Sequence, residues 1–489
     1  MLQNEKIYFQ TVVISLLFIL ASCGKTVDRY SCQNTAPNIF PDYSNVVIPV
    51  NIAPLNFIIR DSASKYHVEI YSAKGKKIII HQTSPKIQIP LNDWKKLLSE
   101  NTGQNFYIDV YAKKNEWIKY ESIKDSIVAD SIDSHLVYRL INAAYILWRD
   151  MGIYQRNLEN FEEEPIFVNT SSNHACVNCH MFCKNDPKKM TMHFRKEFGG
   201  TMILDGETKT KINTKTPNTI SACAYPSWHP NGELIAYSVN IINQDFRAEK
   251  EKAQDVWDSS SDLVVYNIKT NVLSTSPKIS TESRENLPTW SPDGKYLYFI
   301  NAPQAMESEE SNMKIKYDLM RIAYDPDKNL WGQIDTVLSS KKTGMSITFP
   351  VISPDGKFLL FCMIDYGYFS IYHMNSDLYI LDLASNEYRK LDVNSTSNES
   401  YHCWSSSGRW ITISSKRMDN VYSRPYFAYF DANGKEYKPF LMPQKDPEFY
   451  DTFMKNFNRP ELVKGKVELD ENEMRDFVRE EAEEVNSAI

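Results

Sequence analysis

Glycine is scarce, 16 residues in 489, which leaves little material for the loops that cradle phosphates. No P-loop, nucleophile elbow, His-Glu-x-x-His pair or Ser-His-Asp order is present, so no motif points to an NTPase, a serine hydrolase or a zinc protease. Basic charge is not in excess either. With 55 Lys and Arg against 62 Asp and Glu, the net charge of −7 excludes a broad nucleic-acid surface, which needs dense cations. Cysteine is limited to eight residues, and no apolar run reaches the roughly 20 residues of a membrane-spanning helix. We expect no catalysis and no nucleic-acid partner.

The longest apolar run, "VVISLLFIL" from Val12 to Leu20, follows Lys6 and precedes Ala21-Ser22-Cys23. It suits the core of a signal peptide. "LASCGK" resembles the lipobox of bacterial lipoproteins, which implies removal of residues 1 to 22 and lipidation of Cys23. Several acyl chains on one residue hold a protein to a membrane durably, where one chain does not. No acidic run follows Cys23, so the expected location is the periplasmic side of the outer membrane.

Four segments share one grammar: "YPSWHPNGELIAYSV", "LPTWSPDGKYLYFI", "FPVISPDGKFLLFCMI" and "YHCWSSSGRWITISS". Each has an apolar anchor, a tight turn closed by glycine and a β-rich run. The anchors Trp228, Trp290, Ile352 and Trp404 recur at intervals of 62, 62 and 52 residues. A third strand follows at Asp262, Asp318 and Asp377, which read as structural positions at strand starts. Repeats of this kind predict a β-propeller. Extending the period backwards makes Pro165 to Val168 the inner strand of a first, degenerate blade, giving five or six blades.

The "P-x-W-S-P-D-G-K" grammar resembles the TolB-like family of WD-type propeller repeats. "GIYQRNLENFEEEPIF", "CVNCHMF" and "SRPYFAYFD" resemble a group of TolB-like lipoproteins of Gram-negative bacteria, some labelled as related to c-type cytochromes. The predicted architecture is all-β. Residues 23 to 43 form a linker, and residues 44 to 126 an immunoglobulin- or fibronectin-like β-sandwich. Residues 127 to 163 are a helical connector, with a helix expected from His135 to Gly152. The propeller covers residues 164 to 443, and residues 444 to 489 form an acidic, partly helical tail with Met474, Phe477, Val478 and Val485 at helical spacing.

Cys176-Val177-Asn178-Cys179-His180 matches the attachment signature of c-type haem, two thiols for the vinyl groups and a histidine for the iron. One covalent haem c serving electron transfer is the implied cofactor. The second axial ligand is sought among His193, Met190, Met192 and His174, with His193 favoured because a short turn returns the chain over the far face of the iron. The same residues also permit a Cys176–Cys179 disulfide, a zinc site built with Cys183 and His180 or His174, or inert buried thiols. Long segments between the second and third strands of the repeats carry Arg247, Glu309, Tyr366, Tyr368 and Tyr372, and the last repeat adds Arg417 and Arg424. Their face is the expected docking surface for a protein or glycan partner.

Overall fold

A computed structural model describes residues 26–143, 149–246, 254–304 and 314–489. The expected signal peptide, Cys23, Arg247 and Glu309 lie outside the described residues. Contacts divide the chain into two units. One comprises residues up to Asn45, Pro54–Ile127 and Pro443–Glu448; the other comprises Val46–Ala53, Val128–Met442 and Phe449–Ile489.

The first unit holds two sheets. One centres on Asn105–Lys113, which pairs antiparallel with Lys65–Ser72 along one edge and with Trp117–Lys119 and Ile123–Val128 along the other. The second joins Ile39–Phe40, Phe57–Ile59 and Lys86–Ile87. Between the expected strands lies Leu91–Glu100, a helix (α1) that buries Trp94, Leu97 and Leu98. Pro90 precedes its first turn, and Trp94 meets Phe106 edge-on at 5.6 Å. Residues 443–448 return to this unit, where Asn56 Nδ2 donates to the Gln444 and Lys445 carbonyls.

The second unit is a β-propeller. Six sheets each begin with one inner strand: β1 (Val177–Phe182), β2 (Cys223–Trp228), β3 (Arg284–Trp290), β4 (Ser346–Ile352), β5 (Glu399–Trp404) and β6 (Lys455–Val463). The six residues just before the anchor positions, Met181, Ser227, Thr289, Val351, Cys403 and Glu461, all line one central cavity. That shared lining places the six inner strands around a common axis.

The turns explain why the repeats fold this way. Gly232, Gly294, Gly356 and Gly408 close them with φ between 66° and 73°, a region glycine adopts without strain. Their N–H groups donate to His229, Ser291, Ser353 and Ser405. After β1, Asp186 makes the equivalent bond to Cys183, while Lys184 and Asn185 supply the left-handed backbone. Adjoining sheets then share apolar clusters. Leu360, Trp404, Ile411 and Ala428 belong to one of them, and each fully buried aliphatic side chain contributes about 1.5–3 kcal/mol. Trp228 and Trp404 also donate their indole N–H to the Met181 and Val351 carbonyls of the preceding inner strands, both at 3.2 Å.

Three expectations are corrected here. Glu163–Val168 is the outer strand of its sheet, not an inner strand, so the repeat register falls on Phe182 as anchor and makes Val177–Phe182 itself the inner strand. The helix expected over His135 to Gly152 is replaced by strands His135–Asn142 and Met151–Asn157, with residues 144–148 outside the description. The propeller also continues past residue 443. Its sixth inner strand, Lys455–Val463, pairs with His135–Asn142, so a late segment completes a sheet started early in the chain.

The tail is structured. Helix α2 (Glu471–Val478) is capped by Asp470, whose side chain accepts from the Asn472 and Glu473 N–H groups. Its Met474, Phe477 and Val478 enter the cluster formed by Ile166, Phe167, Met190 and Met192. Glu483–Glu484 and Asn486–Ala488 then add parallel strands to two neighbouring sheets. Among the described residues, no helix is long and apolar enough to cross a membrane.

Candidate functional site

The motif residues fall into the repeat rather than outside it. Cys179 lies three residues before its anchor, as do Tyr225, Leu287, Phe349 and Arg459, and all five have φ between 48° and 53°. Pairing shifts register beside each of them, marking a bulge repeated at the same step of successive inner strands. The bulge aims the side chain at the axis. Tyr225 and Phe349 come within 6.5 Å of each other there, and Phe349 and Tyr401 within 4.9 Å, with Phe369 beside them.

His180 occupies the next step, where four of the inner strands carry Pro226, Pro288, Pro350 and Pro460. It is 1% exposed. Burial pushes its pKa down to about 3, Arg459 and Arg139 push in the same direction, and the carbonyls of Val137 and Arg459 act against them. Those carbonyls belong to the preceding sheet, so the ring faces that way.

His193 faces the other way. It shares strand parity with Thr191, whose hydroxyl meets Tyr237 of the following sheet at 3.3 Å. His193 Nδ1 lies 2.9 Å from Thr201 Oγ1, and burial holds its pKa at about 3. His180 and His193 therefore project from opposite faces of one sheet, and the structure does not bring them together as an axial pair. Met190 and Met192 are fully buried in an apolar cluster, and His174 is exposed on a turn with Nδ1 2.6 Å from the Arg149 carbonyl.

The two motif cysteines have different surroundings. Cys176 packs against the cluster on the preceding sheet, while Cys179 lines the axial cavity. Both are partly exposed thiols, and all the described cysteines are free. The axial pair expected for a covalent haem, His180 with His193, does not fit this arrangement, because the two rings project from opposite faces of one sheet. Among the described residues, no three His, Cys, Asp or Glu side chains come together to hold a metal ion.

What the motif borders is the mouth of the channel. A cavity of about 280 Å³ is lined by Cys176 and Asn178 from the motif and by Arg139, Arg195 and Lys416 from three further strands and loops. A narrower extension reaches Cys179, His180 and Arg459. No Asp or Glu is among the described residues that line either part. Burial lowers the Lys416 ammonium to about 8, Asp419 acting in the opposite sense, and its Nζ sits 5.6 Å from the Tyr372 ring centre. Gln254 is 2% exposed, and neither its amide oxygen nor its amide nitrogen has a protein partner.

A loop covers this mouth and is held by two carboxylates on the Gln254–Asn267 strand. Tyr366 donates to Asp255 at 2.7 Å and Tyr368 to Asp258 at 2.8 Å. Asp258 also accepts from Asn240 and Asn286, and burial raises its pKa to about 7. Asn398 fastens the far end by donating to the Ser370 and His373 carbonyls. The loop thereby sets Phe369, Ile371, Tyr372 and Met374 against the cavity.

Several residues expected on a docking face are internal instead. Tyr368 is fully buried, Arg417 pairs with Glu399 at 3.0 Å, and Arg424 is fully buried, donating to the Lys455 and Phe453 carbonyls. Sequence reasoning missed Arg139, Arg195, Gln254 and Lys416 because they come from non-repeating positions. The step of Cys179 was recoverable, since it lies a constant three residues before each anchor.

At the opposite end of the channel, the second cavity, about 520 Å³, contains Glu461. Its carboxylate accepts from the Phe182 N–H at 2.9 Å, and burial raises its pKa to about 7 against the lowering effect of that bond and Arg459.

No family model matches the chain, and no curated protein matches it in sequence. Solved structures resemble it at low identity. A putative TolB from Agrobacterium tumefaciens is 14% identical, with a TM-score of 0.36 over 65% of this chain and 96% of that one. A nidogen/laminin complex is 10% identical, with a TM-score of 0.35 over 63% and 92%. The β-propeller domain of Myceliophteria thermophila Cps50 is 10% identical, with a TM-score of 0.32 over 54% and 69%.

Proposed function

We propose that this protein is a binding scaffold of the bacterial cell envelope, a six-bladed propeller that engages its ligand at the channel mouth beside Cys176 and performs no catalysis. The observation that carries this reading is the mouth itself: three cations and a buried, unpartnered Gln254 amide around an open cavity, with no nucleophile and base set against each other among the described residues. The N-terminal unit acts as an immunoglobulin- or fibronectin-like spacer. Cys23 carries the lipid anchor and places the propeller on the periplasmic side of the outer membrane. The motif cysteines serve as wall residues of the mouth.

A photo-crosslinking residue at Gln244, on the mouth, is compared in intact cells with one at Leu330, an exposed position elsewhere on the propeller. Adducts specific to position 244 support the reading, whether the partner is protein or glycan. Equal or absent labelling at both positions overturns it. Cys23→Ala tests the anchor separately, with release from the membrane fraction as the expected result.

A further inference from the structure

The mouth has a chemistry specific enough to name a class of ligand. Arg139, Arg195 and Lys416 gather there, and no carboxylate is among the described lining residues, in a protein whose net charge is negative. Arg195 is exposed, and among the described residues its side chain has no hydrogen-bond or ion-pair partner. Arg139 is partly buried, and its Nη1 donates only to the Val177 carbonyl at 3.3 Å. Uncompensated cations held near a partly enclosed cavity repel one another, and an anion relieves that repulsion.

Amides supply the rest of the polar lining. Gln254, Asn178 and Asn458 each keep at least one buried side-chain atom without a protein partner. A buried amide left unpaired is costly, so a ligand rich in hydroxyl groups is favoured there. Each amide both donates and accepts, which matches a hydroxyl's own dual capacity. Tyr225, Phe369 and Tyr372 add aromatic surface of the sort that covers the apolar face of a ring.

We infer that the mouth binds a sugar acid: the carboxylate lies among Arg139, Arg195 and Lys416, the hydroxyls meet Gln254, Asn178 and Asn458, and the ring rests on the aromatic wall. This rests on the mouth being the ligand site proposed above. The same chemistry is presented by a free uronic acid and by the end of an acidic polysaccharide.

Calorimetric titration of the purified full-length protein decides it. The probes are glucuronate and galacturonate, glucose, the methyl ester of glucuronate, inorganic phosphate, and a galacturonate trimer. A uronate that binds at least tenfold more tightly than glucose and the ester supports the inference. A trimer tighter than the monomer supports a polysaccharide end as the source, and a monomer equal to or tighter than the trimer supports the free sugar. Arg195→Gln, at an exposed residue with no partner to lose, is expected to weaken the acid about tenfold and leave melting unchanged. Lys416→Met is expected to do the same to binding. Equal binding of glucose and uronate overturns the inference, as does phosphate binding without uronate binding, or no binding of any probe. In the last case, specific crosslinks from position 244 would still uphold the scaffold reading, so the two failures are distinguishable.

Discussion

His180 and His402 stand at the same step of two inner strands, each two residues before its anchor and each turned toward carbonyls of the preceding sheet. His402 Nε2 lies 3.2 Å from the Leu360 carbonyl, with the Phe349 carbonyl also acting on it; His180 faces the corresponding Val137 and Arg459 carbonyls. A histidine that is not part of any haem motif thus stands where the motif histidine does. His402 braces two sheets through its bond to Leu360, whereas His180 fills the same wall position with its Nε2 buried and unpartnered.

If His180 is a structural wall residue at the position His402 holds in its own strand, cells able to attach c-type haem will yield a protein with no reduced-minus-oxidised absorption band and no haem staining. His180→Pro, the residue at this step in four of the other strands, should lower stability by no more than about 1–2 kcal/mol, in the range of losing one buried polar contact. A haem band lost in His180→Pro would refute the structural role.

Glu461 predicts a pH effect on stability. Its pKa rises from the carboxyl value of 4.5 to about 7 on folding, so the folded state holds the proton more tightly than the unfolded chain. That contribution is fully present below pH 4.5, fades as pH rises toward 7 and is absent above. Glu461→Gln keeps an acceptor for the Phe182 N–H and carries no charge. Urea melts should find the variant equal to the parent near pH 4 and more stable at pH 8, by up to about 3 kcal/mol at 1.36 kcal/mol per pKa unit. Equal stability at both values would show that Glu461 is solvated in the native protein.

The tail should behave as part of the core. Phe477 is 5% exposed within the cluster that includes Phe167 and Met190. Phe477→Ala is expected to destabilise the propeller by about 3–5 kcal/mol, read from chemical denaturation. A loss under about 0.5 kcal/mol, typical of surface positions, would mean that the tail is a solvated appendage.

The loop over the mouth depends on Asp258. Tyr368→Phe removes one of its three side-chain donors, Tyr368, Asn240 and Asn286. Stability should fall by about 1–2 kcal/mol. Amide exchange should quicken mainly across residues 366–374. Unaltered exchange there would show that the Asn398 clamp alone holds the loop.

Local chemistry made much of the propeller legible in the sequence. The Pro-x-Trp steps and glycine turns at Gly232, Gly294, Gly356 and Gly408 act over a few residues, and four of the inner strands fall where that grammar puts them. The amphipathic spacing of Met474, Phe477 and Val478 likewise became a helix with those residues buried. Only the tertiary structure decided the rest. Lys184 and Asn185 replace a turn glycine after β1, so the motif strand carried no turn signal and the backward extension of the period missed its register. His135–Asn142 shows an apolar spacing compatible with a helix, and pairing with Met151–Asn157 and the distant Lys455–Val463 overrides it. The mouth is a long-range product as well. Arg139, Arg195, Gln254 and Lys416 come from separate sheets, and no local pattern encodes side chains that meet only when the ring of sheets closes.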